Sequence, residues 1–138
     1  MSTGEKIKRY RKMRHLTQDE LGERVGVTGN AIRNYEHDFR SPNAEQLEKI
    51  ADALEVPASA LEEYRLETVR DAMEALFRLE DAYGLAPAPD GTLTINPRSK
   101  GAHKLSQAIK NWNRIKDQIA SGEMSEDTYE LWKASFTG

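Results

Sequence analysis

The chain has 138 residues, 38% of them hydrophobic and 31% charged, with a formal net charge of −3. That balance suits a globular protein with room for one ordinary domain or two small ones, and no run reaches the roughly 18 apolar residues a membrane span needs. Cysteine is absent, which excludes disulfides, thiolate metal sites and cysteine nucleophiles together. The N-terminus enters a charged helical pattern without an apolar signal region, which predicts a cytoplasmic protein.

Charge is unevenly placed. Residues 1–41 hold nine Lys and Arg against six acids, and six of those cations lie between Lys6 and Arg14. A basic first helix over Glu5 to His15 is expected, with Ile7 and Tyr10 as a thin buried stripe. A charge run alone is more often a solvated helix face than a phosphate-facing one; its neighbours reverse that reading.

Thr17-Gln-Asp-Glu20 has the capping-box pattern, so a second helix should start there. Leu21 and Val25 form its core pair, Gly22 leaves room for a facing helix, and Gly26 supplies the positive φ of a tight turn. Thr28 is placed to cap a third helix with Ile32 and Tyr35 or Glu36 turned inward. Its outward face then holds Gly29, Asn30, Arg33 and Asn34. Asn can pair bidentately with adenine and Arg with guanine, and Thr28 is short enough for a thymine methyl or a phosphate. On this helix alone, a plain amphipathic surface explains these residues equally well. Pro42 and Asn43 announce a fourth helix with the stripe Leu47, Ile50, Ala51 and Leu54. Val56-Pro57 breaks it, and a fifth from Ala58 to about Arg65 would bury Leu61 with Tyr64 or Leu66.

Leu16-Thr17-Gln18-x-x-Leu21, Val25-Gly26-Val27, Ile32, Tyr35-Glu36, Pro42, Leu47-x-x-Ile50-Ala51-x-x-Leu54-x-Val56 and Leu61 together resemble the lambda repressor-like (Xre) helix-turn-helix domain, over about residues 4–66. The resemblance implies a transcription regulator with Thr28 to His37 as recognition helix. Thr28, Gly29, Asn30, Arg33 and Asn34 fall where that family reads bases. Arg9, Thr17, Gln18, His37 and Arg40 fall where it meets the DNA backbone. Arg11 and Glu36 fall on its buried ion pair. Three positions depart from the pattern: His15 stands where Gly is usual, His37-Asp38 replaces Asn-Gly, and Gly29 replaces a longer residue.

In the second half, Leu66, Val69, Met73, Leu76, Phe77, Glu80 and Tyr83 share a helix face ending at Gly84. One isolated helix needs a partner for such a stripe, so Met73, Leu76 and Phe77, with Trp112 on a later helix, are candidate dimerisation residues. Asp90-Gly91 before Thr92 to Ile95 hints at a short β-hairpin near 85–96, against which Pro87 and Pro89 speak. Leu105, Ile109, Trp112, Ile115 and Ile119 pattern a helix from Lys100 to Ser121, ended by Gly122. Ser125-Glu-Asp-Thr starts a last one in which Tyr129, Trp132 and Phe136 share a face.

The fold class expected is all-α: a five-helix DNA-binding domain over 1–66, then a mostly helical region over 67–138 for dimerisation or partner binding. His15, His37 and His103 lack metal-ligand spacing, no phosphate-cradling glycine loop is present, and no cofactor or enzyme activity is expected. The leading expectation is a repressor that binds double-stranded DNA at an inverted repeat as a homodimer. The alternatives are an antitoxin or immunity regulator whose C-terminal half holds a partner protein, and an interaction module without DNA binding.

Overall fold

The computed structural model describes residues 1–137. Its elements in order are α1 (Thr3–Met13), α2 (Gln18–Val25), α3 (Gly29–Glu36), α4 (Ala44–Leu54), a 3₁₀ turn (Ala58–Ala60), α5 (Val69–Tyr83), β1 (Leu85–Pro87), β2 (Leu93–Ile95), α6 (Ala102–Ala120) and α7 (Glu126–Ala134). They divide into two units, residues 1–63 with 126–137, and residues 64–125. No helix among the described residues is long and apolar enough to cross a membrane.

The first unit is built by local caps around one core. Ser2, Thr17, Thr28 and Asn43 each accept a hydrogen bond from the backbone amide three residues on, starting α1, α2, α3 and α4. Such a cap satisfies one of the orphan amides at a helix start. The core gathers Ile7, Leu21, Ile32, Ile50, Leu54 and Leu61, all fully buried. α1 begins two residues before the pattern indicates because the Ser2 cap lies upstream of its first apolar residue. The expected fifth helix is only the 3₁₀ turn: Leu61 alone reaches the core, while Tyr64 and Leu66 stay exposed.

Two left-handed residues close turns that glycine often fills. His15 has φ 57° after α1, and Glu55 has φ 59° after α4. Gly22 meets the Val27 and Thr28 backbone, not a facing helix; a methyl there would lie 2.6 Å from the Val27 carbonyl oxygen.

α7 returns to this unit. Ala134 joins its core with Leu131 packed alongside, and Glu130 pairs with Arg9 at 3.5 Å and Lys133 at 2.9 Å. Burial, and then the nearby Glu130 carboxylate, hold the Tyr10 phenol above its ordinary pKa. Tyr129, Trp132 and Phe136 make tilted ring contacts along and just beyond α7, while Ala134 and Leu131 are the side chains that reach the core. Ala134→Asp, which puts a charge into that contact, is expected to lower the stability of this unit by about 1–3 kcal/mol, measured as a lower urea midpoint. An unchanged midpoint would mean that α7 contributes nothing to the core.

In the second unit, Thr68 and Asp71 form a capping box that starts α5, and Gly84 ends it at φ 71°. The hairpin expected near 85–96 is present as an antiparallel pair, Leu85 opposite Ile95 and Pro87 opposite Leu93. Pro87 is tolerated because a two-stranded sheet has only edges. At the turn, the Asp90 carboxylate accepts from the Thr92 hydroxyl at 2.6 Å and from its amide at 3.0 Å, bonds that pull its pKa below the usual carboxylate value. Only Ala102 and Ile115 are fully enclosed along α6, and α5 encloses no residue at all.

Candidate nucleic-acid interface

Only three residues separate α2 from α3: Gly26 at φ 88°, Val27 and the capping Thr28. Ile32, Tyr35 and Glu36 turn inward. Thr28, Asn30 and Arg33 stand in solvent, and Gly29 and Asn34 are half-buried. The Asn30 and Arg33 side chains have no hydrogen-bond or ion-pair partner among the described residues, so their polar groups are available to an external one.

The inner side of α3 is fixed by a buried polar network. Arg11 donates from Nε to Glu36 Oε1, from Nη2 to Glu36 Oε2 at 3.1 Å, and from Nη1 to the Leu16 carbonyl at 2.8 Å. Gln18 Nε2 donates to the same Glu36 Oε2 at 2.9 Å. The ion pair thus ties α1, α3 and the start of α2 together. Gln18 is bonded inward, and any phosphate contact by it would have to use the amide's remaining groups.

Several cations of the basic run are engaged within the protein, Arg11 in the ion pair that the resemblance implies and others in contacts of their own. Arg9 pairs with Glu130, Arg11 with Glu36, and Arg14 with Glu55 and the Leu54 carbonyl. Lys6 donates to the Glu62 carbonyl. α1 is therefore a basic helix that spends most of its charge holding the unit together, while Lys8 and Lys12 stay exposed. Thr17 is also occupied: its hydroxyl accepts from the Glu20 amide at 3.0 Å and its own amide donates to Glu20 Oε1 at 3.1 Å. The bond from the Thr17 amide first, and then the nearby Thr17 hydroxyl, hold the Glu20 carboxyl below its ordinary pKa. Thr28 likewise spends its oxygen on the Ala31 amide at 3.1 Å.

Stability linked to Glu20 is present above the carboxylate's unfolded pKa and lost as pH falls through its lowered folded value. Thr17→Ala is expected to cost about 1 kcal/mol at pH 7, and less as pH falls through the lowered Glu20 value, read as the shift of the urea midpoint; a cost that does not change with pH would assign the effect to the capping hydroxyl alone.

The Asp38 φ of 57° gives the loop after α3 the left-handed turn that a glycine would give. Its carboxylate accepts from the Ser2 hydroxyl at 2.6 Å and the Gly4 amide at 3.1 Å, so the loop is bound to the N-terminus of α1, where an anion is favoured. A methyl on Gly4 would run into the Tyr35 and Glu36 carbonyls and the Asp38 carboxylate. His37 and Phe39 stack at 5.4 Å between centroids, and both are exposed with Arg40. Gly29 fits for an internal reason: a side chain there would overlap the Asp19 carboxylate of α2. The residue makes the α2–α3 approach possible and offers no side chain outward.

Residues 7–61 match the Helix-turn-helix family model, and the P22 c2 repressor protein, solved with synthetic operator 9T, is 34% identical over 44% of this chain and 92% of its own (TM-score 0.43). Residues 7–61 thus form a helix-turn-helix domain of the lambda repressor-like kind. The HTH-type transcriptional regulator ImmR of Bacillus subtilis (strain 168) is 27% identical over 89% of this chain and all of its own length. The Immunity repressor protein of Bacillus phage phi105 is 36% identical over 44% of this chain, which spans 42% of that relative. Within this helix-turn-helix domain α2 and α3 are the two helices joined by the tight turn at Gly26.

Proposed function

We propose that this chain is a transcriptional repressor that binds a specific DNA sequence through α3. The observation that carries the reading is the contrast between the two sides of that helix. Glu36 and Ile32 lock one side in place, and Thr28, Asn30 and Arg33 stand outward on the other. Side chains held on a rigid element lose little freedom on binding and so discriminate well. Arg33 suits guanine and Asn30 or Asn34 suits adenine; Arg40 and the loop with His37 suit phosphate. The regulator names carried by ImmR and the phage phi105 repressor support this assignment.

The repressor acts as a homodimer on an inverted repeat. One α3 exposes too few base-reading side chains for tight specific binding, and two of them, about 34 Å apart along the duplex, read two half-sites. The exposed apolar residues Met73, Phe77 and Trp112 of the second unit supply the contact between copies. The acting compartment is the cytoplasm, where its DNA is, and its work is binding without catalysis.

Selection of bound sequences from a random duplex pool, followed by anisotropy titration at several salt concentrations, tests the proposal. A palindromic consensus bound at about 10⁻⁸ to 10⁻¹¹ M is expected at physiological salt. Binding that is absent, or equal for all sequences, would overturn it and favour the interaction-module reading.

A further inference from the structure

The loop after α3 carries a residue that its turn alone does not call for. The backbone closes the helix in the Schellman manner: the Phe39 amide donates to the Asn34 carbonyl at 3.0 Å and the Asp38 amide to the Tyr35 carbonyl at 3.1 Å. That pattern needs one left-handed residue, and here it is Asp38, at φ 57°. Glycine takes this conformation without steric cost, whereas a residue with a Cβ does not. What the aspartate adds lies outside the loop. Its Oδ2 accepts from the Ser2 hydroxyl at 2.6 Å and its Oδ1 from the Gly4 amide at 3.1 Å, while the Ser2 oxygen accepts in turn from the Glu5 amide at 3.1 Å. One carboxylate thus joins the C-terminal end of α3 to the N-terminal end of α1, the helix pole that favours an anion. Gly4 keeps the joint close, since a methyl there would lie 2.8 Å from the Glu36 carbonyl oxygen.

The same turn displays His37, Phe39 and Arg40, all exposed. In a Schellman turn an apolar side chain after the left-handed residue often packs back onto the helix. Phe39 instead is 72% exposed and stacks on His37. With that side chain turned outward, the Asp38 carboxylate is what anchors the turn to the rest of the unit.

We propose that Asp38 is a positioning residue for the DNA backbone: by fastening the loop to α1 it fixes the place from which Arg40 meets a phosphate. This rests on the reading of Arg40 as a phosphate contact and deepens it. Asp38 itself does not touch DNA, because a carboxylate facing a phosphate is repelled; its charge is engaged by two donors at a helix start. A loop already held in place loses little freedom when its arginine binds, and the contact is stronger for it.

The test is a double-variant cycle in the full-length protein, read by anisotropy with the selected operator and with a random duplex at several salt concentrations, with circular dichroism to verify folding. Asp38→Gly keeps the left-handed turn and removes the carboxylate. It should weaken binding to both duplexes about tenfold and lower the salt slope by about one per protomer. Arg40→Ala should cost about tenfold in the original protein and less than about twofold in the Asp38→Gly background, since a contact already lost cannot be lost again. Asp38→Asn tolerates the turn and keeps an acceptor for the Gly4 amide, so its binding should stay within about threefold of the original. Ser2→Ala loosens the tie from the α1 side without touching the loop, and it should also shrink the Arg40→Ala effect. Equal Arg40→Ala losses in the original, Asp38→Gly and Ser2→Ala proteins would overturn the positioning role and leave Arg40 standing as a phosphate contact. An original protein that binds neither duplex overturns both.

Discussion

Glu36→Ala is expected to lower the stability of the N-terminal unit by about 3–5 kcal/mol, a large share of the 5–15 kcal/mol typical of a whole domain. The side chain is almost inaccessible and accepts from Arg11 twice and from Gln18 once. Its removal strands the Arg11 guanidinium inside the protein with one remaining bond, to the Leu16 carbonyl. The penalty comes from that stranded charge more than from the lost attraction. The pair Arg11→Met/Glu36→Leu should therefore restore the urea midpoint to near that of the original protein, because an apolar pair of similar volume avoids the cost of burying two ions. A double variant as unstable as Glu36→Ala would refute that account. Even with stability restored, Gln18 has lost its acceptor on α3, so DNA binding should remain weakened; this would show that the pair serves to orient helices as well as to join them.

The parts of this architecture that were legible in the sequence are those set by short range. Thr17, Thr28 and Asn43 act within three residues of themselves, and each marks a helix start that the structure contains. The stripe of Ile50, Ala51 and Leu54 likewise names its own buried face. Long-range partners were legible only where the family resemblance supplied them, as for Arg11 and Glu36. Asp38 looked like a departure in a loop, yet it caps α1 from 34 residues further along the chain, and no local pattern announces that. The cations around α1 read as a phosphate-facing comb because composition counts charges without their partners; beyond the expected Arg11–Glu36 pair, Glu130 and Glu55 take up Arg9 and Arg14 in space. α7 shows the same limit. Its periodicity says that one face is covered, and only the folded chain shows that the cover is the N-terminal core. The neighbour of Gly29 was not legible either: a side chain at that position would meet Asp19, ten residues earlier.

Arg33→Ala is expected to cut affinity for the selected operator by at least about 30-fold while changing binding to random DNA only slightly. A bidentate Arg–guanine contact gives about 1–3 kcal/mol of discrimination, and a dimer on an inverted repeat loses it in both half-sites. Arg33 is exposed near the middle of α3 and has no internal partner, so the substitution removes nothing that the fold uses, and the thermal midpoint should not move. Arg40→Ala gives the contrast. As a backbone contact beyond the end of α3, it should weaken operator and random DNA alike and lower the salt slope by about one for each phosphate contact removed. Gln18→Ala should fall between them, since Gln18 bonds Glu36 as well as standing at the start of α2, and part of its effect will appear as lost stability. Equal losses on both DNAs for Arg33→Ala would remove it from base reading and leave Asn30 and Asn34 as the remaining side chains on α3 able to specify sequence. The same measurement on Gly29→Ala separates the two accounts of that position. Overlap with Asp19 predicts a loss of stability accompanying any loss of binding, while a purely DNA-facing role predicts weaker binding at an unchanged midpoint.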